Sequence, residues 1–177
     1  SVLKILKPNC KIIELDHITE GAACTTLLAK KFINTNNPLI IANSDQYIKW
    51  DSIKSMYNYN QKKIDGSILT FEAIHPKWSY AKTDKNNFVT EVAEKKVISK
   101  NATVGVYYWK KGSDYVNSAE TMIKKNVRVN NEFYVCPVYN EAIGEGKKIV
   151  IDKVSEMHGL GTPDDLKNFI TKKNLTN

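Results

Sequence analysis

The chain is poor in the residues that cross-link, anchor or address a protein. Its three cysteines, Cys10, Cys24 and Cys136, are widely scattered, odd in number and free of any Cys-x-x-Cys or Cys/His grouping. That spacing argues against a disulfide framework and a zinc site, and fits reduced thiols in core positions of a cytoplasmic protein. No apolar run approaches the roughly 20 residues needed to span a bilayer. The opening Ser1-Val-Leu-Lys-Ile-Leu-Lys is too short and too charged for a signal peptide, so no membrane partner is expected. Arginine is almost missing: Arg128 is the only one, although the formal net charge is +7. Readers of bases and phosphates favour the planar fork of arginine, so a charge carried by lysine argues against a nucleic-acid partner. The lysines come instead as dispersed pairs such as Lys30-Lys31, Lys62-Lys63 and Lys172-Lys173, the pattern of a solvated surface. No internal repeat, linker or low-complexity segment interrupts the chain.

What is present suits one folded domain. A length of 177 residues with 42% hydrophobic and 25% charged residues allows a sizeable core and argues against disorder. The stretch Pro38-Leu-Ile-Ile-Ala-Asn-Ser-Asp45-Gln46 is an apolar run that stops at a carboxylate. It reads as a buried strand whose C-terminal end delivers Asp45 to a surface, where open α/β sheets bind their ligands. Lys11–Leu15 is a short strand candidate, and Gly21–Ile33 has helical spacing. A turn at Asn34–Pro38 leads into the Asp45 strand, and Trp50–Tyr59 reads as a helix. Gly66–Ile74 is the clearest second core strand. Tyr80–Thr83 and Phe88–Glu94 form a hairpin around Asp84–Asn87, and Ala102–Trp109 is a further strand. Ser113 is placed as the cap of a helix through Lys125, Val135–Ile143 as another helix, and Lys147–Val154 as a late strand. Thr162-Pro163-Asp164-Asp165 is a helix start, with Thr as cap and acids at the positive dipole end.

Five segments line up, in order, with one family: Glu20-Gly21-Ala22-Ala23, Asn43-Ser44-Asp45-Gln46, Val92-Ala93-Glu94-Lys95-Lys96, Gly105-Val106-Tyr107-Tyr108 and Gly159-Leu160-Gly161-Thr162-Pro163-Asp164-Asp165. From about Ile12 to Phe169 the chain resembles the sugar nucleotidyltransferases, the nucleoside-diphosphate-sugar pyrophosphorylases. The resemblance implies a three-layer α/β/α sandwich around a mixed, mostly parallel Rossmann-like sheet, the nucleotide-diphospho-sugar transferase fold. It also implies the reaction, in which an oxygen of a sugar 1-phosphate attacks the α-phosphate of a nucleoside triphosphate and pyrophosphate leaves. Two anions meet there, so catalysis is positioning plus neutralisation by magnesium and lysine.

By that resemblance Asp45 would coordinate Mg2+, Lys95 would grip the sugar phosphate, and Glu94 would accept hydrogen bonds from sugar hydroxyls. Gly21 and Ala22 would let the backbone approach the flat base. Tyr80 and Gly105 would line the sugar pocket. Tyr107 and Tyr108 alternate along a strand, one towards the pocket and one towards the core, and Tyr108 is assigned to the pocket. Glu132, in Asn130-Asn131-Glu132-Phe133, is placed either on the sugar or as a helix cap.

Two departures stand out. The family's opening glycine-rich strand-loop, roughly G-x-G-x-R, and the Lys-Pro that follows it are missing. The single domain at 1–177 is therefore expected to lack the N-terminal strand and triphosphate loop, and to be weak or inactive alone. The family's second magnesium carboxylate corresponds to Gly159, which leaves Asp152, Asp164 and Asp165 as substitutes. The implied role is synthesis of an activated sugar for surface polysaccharide. The alternatives are a nucleotide-sugar-dependent glycosyltransferase, whose usual Asp-x-Asp would replace Ser44-Asp45-Gln46, and a non-catalytic nucleotide-sugar-binding module.

Overall fold

A computed structural model of the protein describes residues 2–174. The helices are α1 (Val2–Leu6), α2 (Ala22–Leu27), α3 (Lys30–Ile33), α4 (Ser52–Gln61), α5 (Gly112–Lys124), α6 (Val138–Gly144) and α7 (Pro163–Asn174). The strands are β1 (Leu39–Ala42), β2 (Gln46–Lys49), β3 (Gly66–Glu72), β4 (Tyr80–Thr83), β5 (Val89–Ala93), β6 (Asn101–Trp109), β7 (Ile149–Lys153) and β8 (Glu156–Gly159).

The sheet is organised by β6, whose sequence Ala-Thr-Val-Gly-Val-Tyr-Tyr-Trp is apolar on both faces, as a central strand requires. One edge of β6 pairs along its length with antiparallel β3, which in turn takes β7 in parallel. The other edge is divided between two strands. Antiparallel β1 lies opposite residues 106–109, while β4 meets β6 only at Ala102. The β4–β5 hairpin then leans away, so that Phe88 at its turn bridges to Val150 of β7.

Alternation along these strands builds a core on each face. Ile68, Tyr107, Trp109 and Ile149 point to one side, where α5 and α6 cover them. The fit is visible in α5: Tyr115, Val116, Ala119 and Met122 recur at helical spacing and are all buried. On the opposite face α4 covers Tyr108 and Val150 through Tyr59, and the small antiparallel sheet β2–β8 covers Leu69 and Val106. The helix start expected at Thr162 forms: its hydroxyl accepts the Asp165 N–H at 3.1 Å and donates to the Asp165 carboxylate at 2.8 Å.

The three layers and the mixed sheet are as the resemblance implied. The pairings are less parallel than expected, since β6 runs against each of its neighbours and only β3–β7 is parallel. The strand before Asp45 is not buried: β1 is an edge strand, with Ile40 47% exposed and no second strand beside it among the described residues. Lys11–Leu15 forms no strand, because residues 11–18 find no backbone partner among the described residues. The Gly21–Ile33 helix is broken into α2 and α3. Thr25 and Thr26 hydroxyls bond back to Gly21 and Ala23 carbonyls, and the chain tightens to i→i−3 bonds at Leu28 and Ala29. Ser113 is not a cap: α5 opens at Gly112, and the Gly112 and Ser113 N–H groups bond the Asn37 and Thr35 carbonyls instead. The strands β2 and β8 were not anticipated. No described helix is long and apolar enough to cross a membrane.

Candidate functional site

The division of the β6 edge opens a gap in the sheet. Ser79 O accepts the Thr103 N–H at 2.8 Å on one side, and Gly105 O accepts the Asn43 N–H at 2.9 Å on the other. Between them β6 bulges. Its register against β3 jumps from Ile68–Tyr107 to Thr70–Thr103, so residues 104–106 face Leu69 alone. The bulge bends through Gly105, whose φ of +71° is a left-handed conformation that favours glycine. A Cβ there would lie 2.7 Å from Cγ of Asn43, so the small residue also lets Asn43 lie against the strand.

A cavity of about 340 Å³ sits over this gap. Thr103, Val104, Gly105 and Tyr107 form its floor, Ser79, Glu94 and Lys95 come from the hairpin side, and Ala22, Tyr134 and Cys136 close the opposite side. Asn43, Gln46, Lys77 and Trp78 complete the rim. Glu94 accepts a hydrogen bond from the Ser79 hydroxyl, and burial pushes its carboxyl above the ordinary range, which the Ser79 bond and the Lys95 charge partly offset. Lys95 has a left-handed backbone (φ 53°) at the end of β5 and donates from Nζ to the Tyr134 hydroxyl at 2.7 Å. That bond holds the ammonium pKa above its usual value. Burial pushes the Cys136 thiol and the Tyr107 phenol well up, so neither supplies an anion near neutral pH. Gln46 presents a buried amide N–H donor without a partner among the described residues, ready for an acceptor oxygen.

Of the residues singled out in the sequence, Ala22, Glu94, Lys95 and Gly105 come together on this cavity. Gly21 lies behind Ala22 with φ 126°, pressed so close to the Phe133 backbone that a Cβ would stand 2.5 Å from its carbonyl oxygen. Glu132 is exposed, near enough to Glu94 and Lys95 for its charge to raise both pKa values. Asp45 is exposed next to Gln46, beyond the end of β1, with its carbonyl accepting the Leu160 N–H at 2.7 Å. Tyr80 and Tyr108 do not line the cavity. Tyr80 is fully buried with its hydroxyl on the His75 carbonyl at 2.7 Å, and Tyr108 packs under α4 against Tyr59. Their neighbours Ser79 and Tyr107 line it instead, because adjacent strand residues point to opposite faces. Lys77, Trp78 and Tyr134 line the cavity without any local sequence signal, and Asn43 and Gln46 join them from the motif that carries Asp45.

The donors around Asp45 limit what cation it could hold. Asp45 Oδ2 lies over Gly161, where a Cβ would stand 2.8 Å away, and Gly159 faces Gln46 across β2–β8. The position next to Asp45 thus carries no second carboxylate. Asp152 does not replace it, since its Oδ2 is taken by Trp50 Nε1 at 3.0 Å, Tyr59 at 2.7 Å and Ser55. Asp165 is engaged by Thr162. Among the described residues no group of three metal-ligating side chains exists. One exposed carboxylate fits a magnesium ion that takes its remaining ligands from substrate phosphates and water.

No family model and no curated protein matches the sequence. Solved structures do share its fold. The nucleoside-diphosphate-sugar pyrophosphorylase from Vibrio cholerae RC9 superposes with a TM-score of 0.74 at 23% identity, over 89% of this chain and 67% of that one. UDP-glucose pyrophosphorylase complexed with UDP-glucose gives 0.69 at 15%, over 89% and 64%. A Bacillus anthracis structure described as a glucose-1-phosphate thymidylyltransferase in complex with a sucrose gives 0.66 at 17%, over 86% and 61%. At these identities the likeness establishes the fold of the nucleotide-sugar pyrophosphorylases, of whose length the chain spans about two thirds or somewhat less.

Proposed function

We propose that the chain is the acceptor- and metal-binding portion of a sugar-phosphate nucleotidyltransferase, acting in the cytoplasm to make an activated sugar for surface polysaccharide. The observation that carries the reading is the convergence of Glu94, Lys95, Gly105 and Ala22 on one cavity, with Asp45 at the adjoining strand end. In this reading Glu94 and the hydroxyls of Ser79 and Thr103 hold the hydroxyls of the sugar. Lys95 draws the acceptor phosphate to the cavity mouth, and Gln46 donates to an acceptor oxygen. Ala22 leaves room for the base, and Gly21 lets the chain that carries it press against the Phe133 backbone. Asp45 would hold a magnesium ion, which when bound neutralises the charge of the phosphates it contacts. We propose further that a glycine-rich strand-loop outside this chain cradles the triphosphate and pairs with the free edge of β1; the chain alone would then turn over slowly or not at all.

A second reading, a nucleotide-sugar-binding module without catalysis, draws on the single carboxylate at the metal position beside Gly159. The experiment that separates them is pyrophosphate release by the parent protein, with magnesium and a panel of nucleoside triphosphates against sugar 1-phosphates. Release with one pair, reduced at least about 100-fold by Asp45→Ala, is expected, the order of loss for removing one stabilising group at a developing charge. Silence across the panel, in a protein that still binds a nucleotide sugar, would install the binding module in its place.

A further inference from the structure

We propose that Tyr134 is a positioning residue for Lys95: its hydroxyl holds the lysine ammonium across the mouth of the cavity before an anionic acceptor arrives. The inference rests on the proposal that this cavity takes a phosphorylated acceptor. Lys95 Nζ donates to the Tyr134 hydroxyl at 2.7 Å and stands 4.9 Å from the centroid of the same ring. Glu94 and Glu132 lie near enough for their charges to act on Lys95, yet neither accepts a hydrogen bond from it among the described residues.

The chemistry of the partner matters. A carboxylate in this place would orient the ammonium but also neutralise it, and an arriving phosphate would have to displace an ion pair. A phenol hydroxyl orients without neutralising. One of the three ammonium N–H groups goes to Tyr134, two remain, and the full positive charge stays available to the anion. A free lysine side chain loses rotamer freedom when it is immobilised on a ligand, and here much of that ordering is complete beforehand.

Tyr134 is itself firmly placed. The preceding residue, Phe133, donates its N–H to the Glu20 carbonyl at 2.8 Å and accepts the Ala23 N–H at 2.9 Å. Arg128 lies over the Phe133 ring at 3.9 Å and bonds the Glu20 carboxylate. The segment carrying Tyr134 is therefore bound to the loop carrying Gly21 and Ala22. The position of Lys95, at the other side of the mouth, is referred through Tyr134 to the side proposed to hold the base.

The test uses lysine labelled with ¹³C at Cε, with inorganic phosphate at pH 8 as the probe, in the wild type, Tyr134→Phe and Lys95→Gln. The last variant assigns the Lys95 resonance. Tyr134→Phe keeps the ring and removes only the hydroxyl. It is expected to lower the Lys95 pKa towards its ordinary 10.5 and to weaken phosphate binding at Lys95 about three- to tenfold, as loss of one oriented hydrogen bond does. Both changes together support the inference. Either one without the other, or neither, overturns it while leaving the acceptor reading intact if the wild-type Lys95 responds to phosphate. No response in the wild type removes that reading and the inference with it.

Discussion

Gly105→Ala tests the geometry that opens the cavity. The wild-type residue sits at φ +71°, and a left-handed conformation costs a residue with a Cβ about 1–2 kcal/mol. The new methyl would also meet Asn43, whose Cγ lies 2.7 Å from the Cβ position. Moving Asn43 strains its backbone bond to the Gly105 carbonyl, 2.9 Å long, and a weakened hydrogen bond of this type costs roughly 1 kcal/mol. The sum is about 2–3 kcal/mol, or about 4–12 °C in Tm for a chain of this size. Thermal and guanidinium unfolding followed by circular dichroism would measure it. The two contributions separate in an Asn43→Ala background, where the steric part disappears and about 1–2 kcal/mol of backbone strain remains. An equal loss in both backgrounds would show that Asn43 is not what excludes the Cβ. A loss below about 0.5 kcal/mol in either background, well under the expected strain, would refute the backbone argument as well.

Two further perturbations follow from groups with distinct surroundings. Asp152→Ala leaves the Ser55 and Tyr59 hydroxyls without their acceptor, while Trp50 Nε1 keeps its bond to the Ser55 hydroxyl, and is expected to cost about 2–3 kcal/mol in denaturant unfolding. Asp152→Asn, which still offers one carbonyl, should cost about half of that, and equal losses would contradict the hydrogen-bond account. For Glu94, burial raises the folded-state pKa above the ordinary 4.5, so the folded protein keeps this proton at higher pH than the unfolded chain does. The stability it confers is present below pH 4.5 and lost as pH rises through the folded-state value. Glu94→Gln should therefore gain stability relative to wild type as pH rises above 4.5, measured by unfolding at several pH values. A difference that stays constant with pH would contradict burial as the cause.

The strands that make the cavity were legible because their signals are local. Apolar β6 and β3, the Asp84–Asn87 turn and the Thr162 start all announce themselves within a few residues, and each forms. Two of the expected pocket residues miss the cavity in the same way. Ser79 and Tyr107 line it where Tyr80 and Tyr108 are expected, in each case one residue away. A one-residue shift on a strand exchanges its two faces, and nothing in an aromatic pair such as Tyr107-Tyr108 says which member faces inward. Tyr134 was missed for a different reason. Its bond to Lys95 joins residues 39 apart, a relation visible only once the hairpin and the 130–136 segment are brought together.

The Lys11–Leu15 segment shows the limit of pattern most clearly. Lys-Ile-Ile-Glu-Leu has the composition of a strand, and the structure leaves it irregular and unpaired among the described residues, with Ile12, Ile13 and Leu15 each about two-fifths exposed. A strand is stabilised by the neighbour that receives its hydrogen bonds and covers its side chains, so the same residues are strand or not according to what lies alongside. β1 makes the complementary point, since β6 satisfies one of its edges and its other edge stays open, with Ile40 facing solvent. Two strand-competent segments with free backbone and exposed isoleucines lie in one chain without pairing to each other. Exposed edges of this kind are normally covered, charged or paired. The apolar run before Asp45 therefore reads as central in the sequence and stands at an edge here. If the proposed glycine-rich strand pairs with β1, the N–H groups of Ile40 and Ala42, which alternate away from β6, should become protected from hydrogen exchange in the parent protein, while remaining open in this chain.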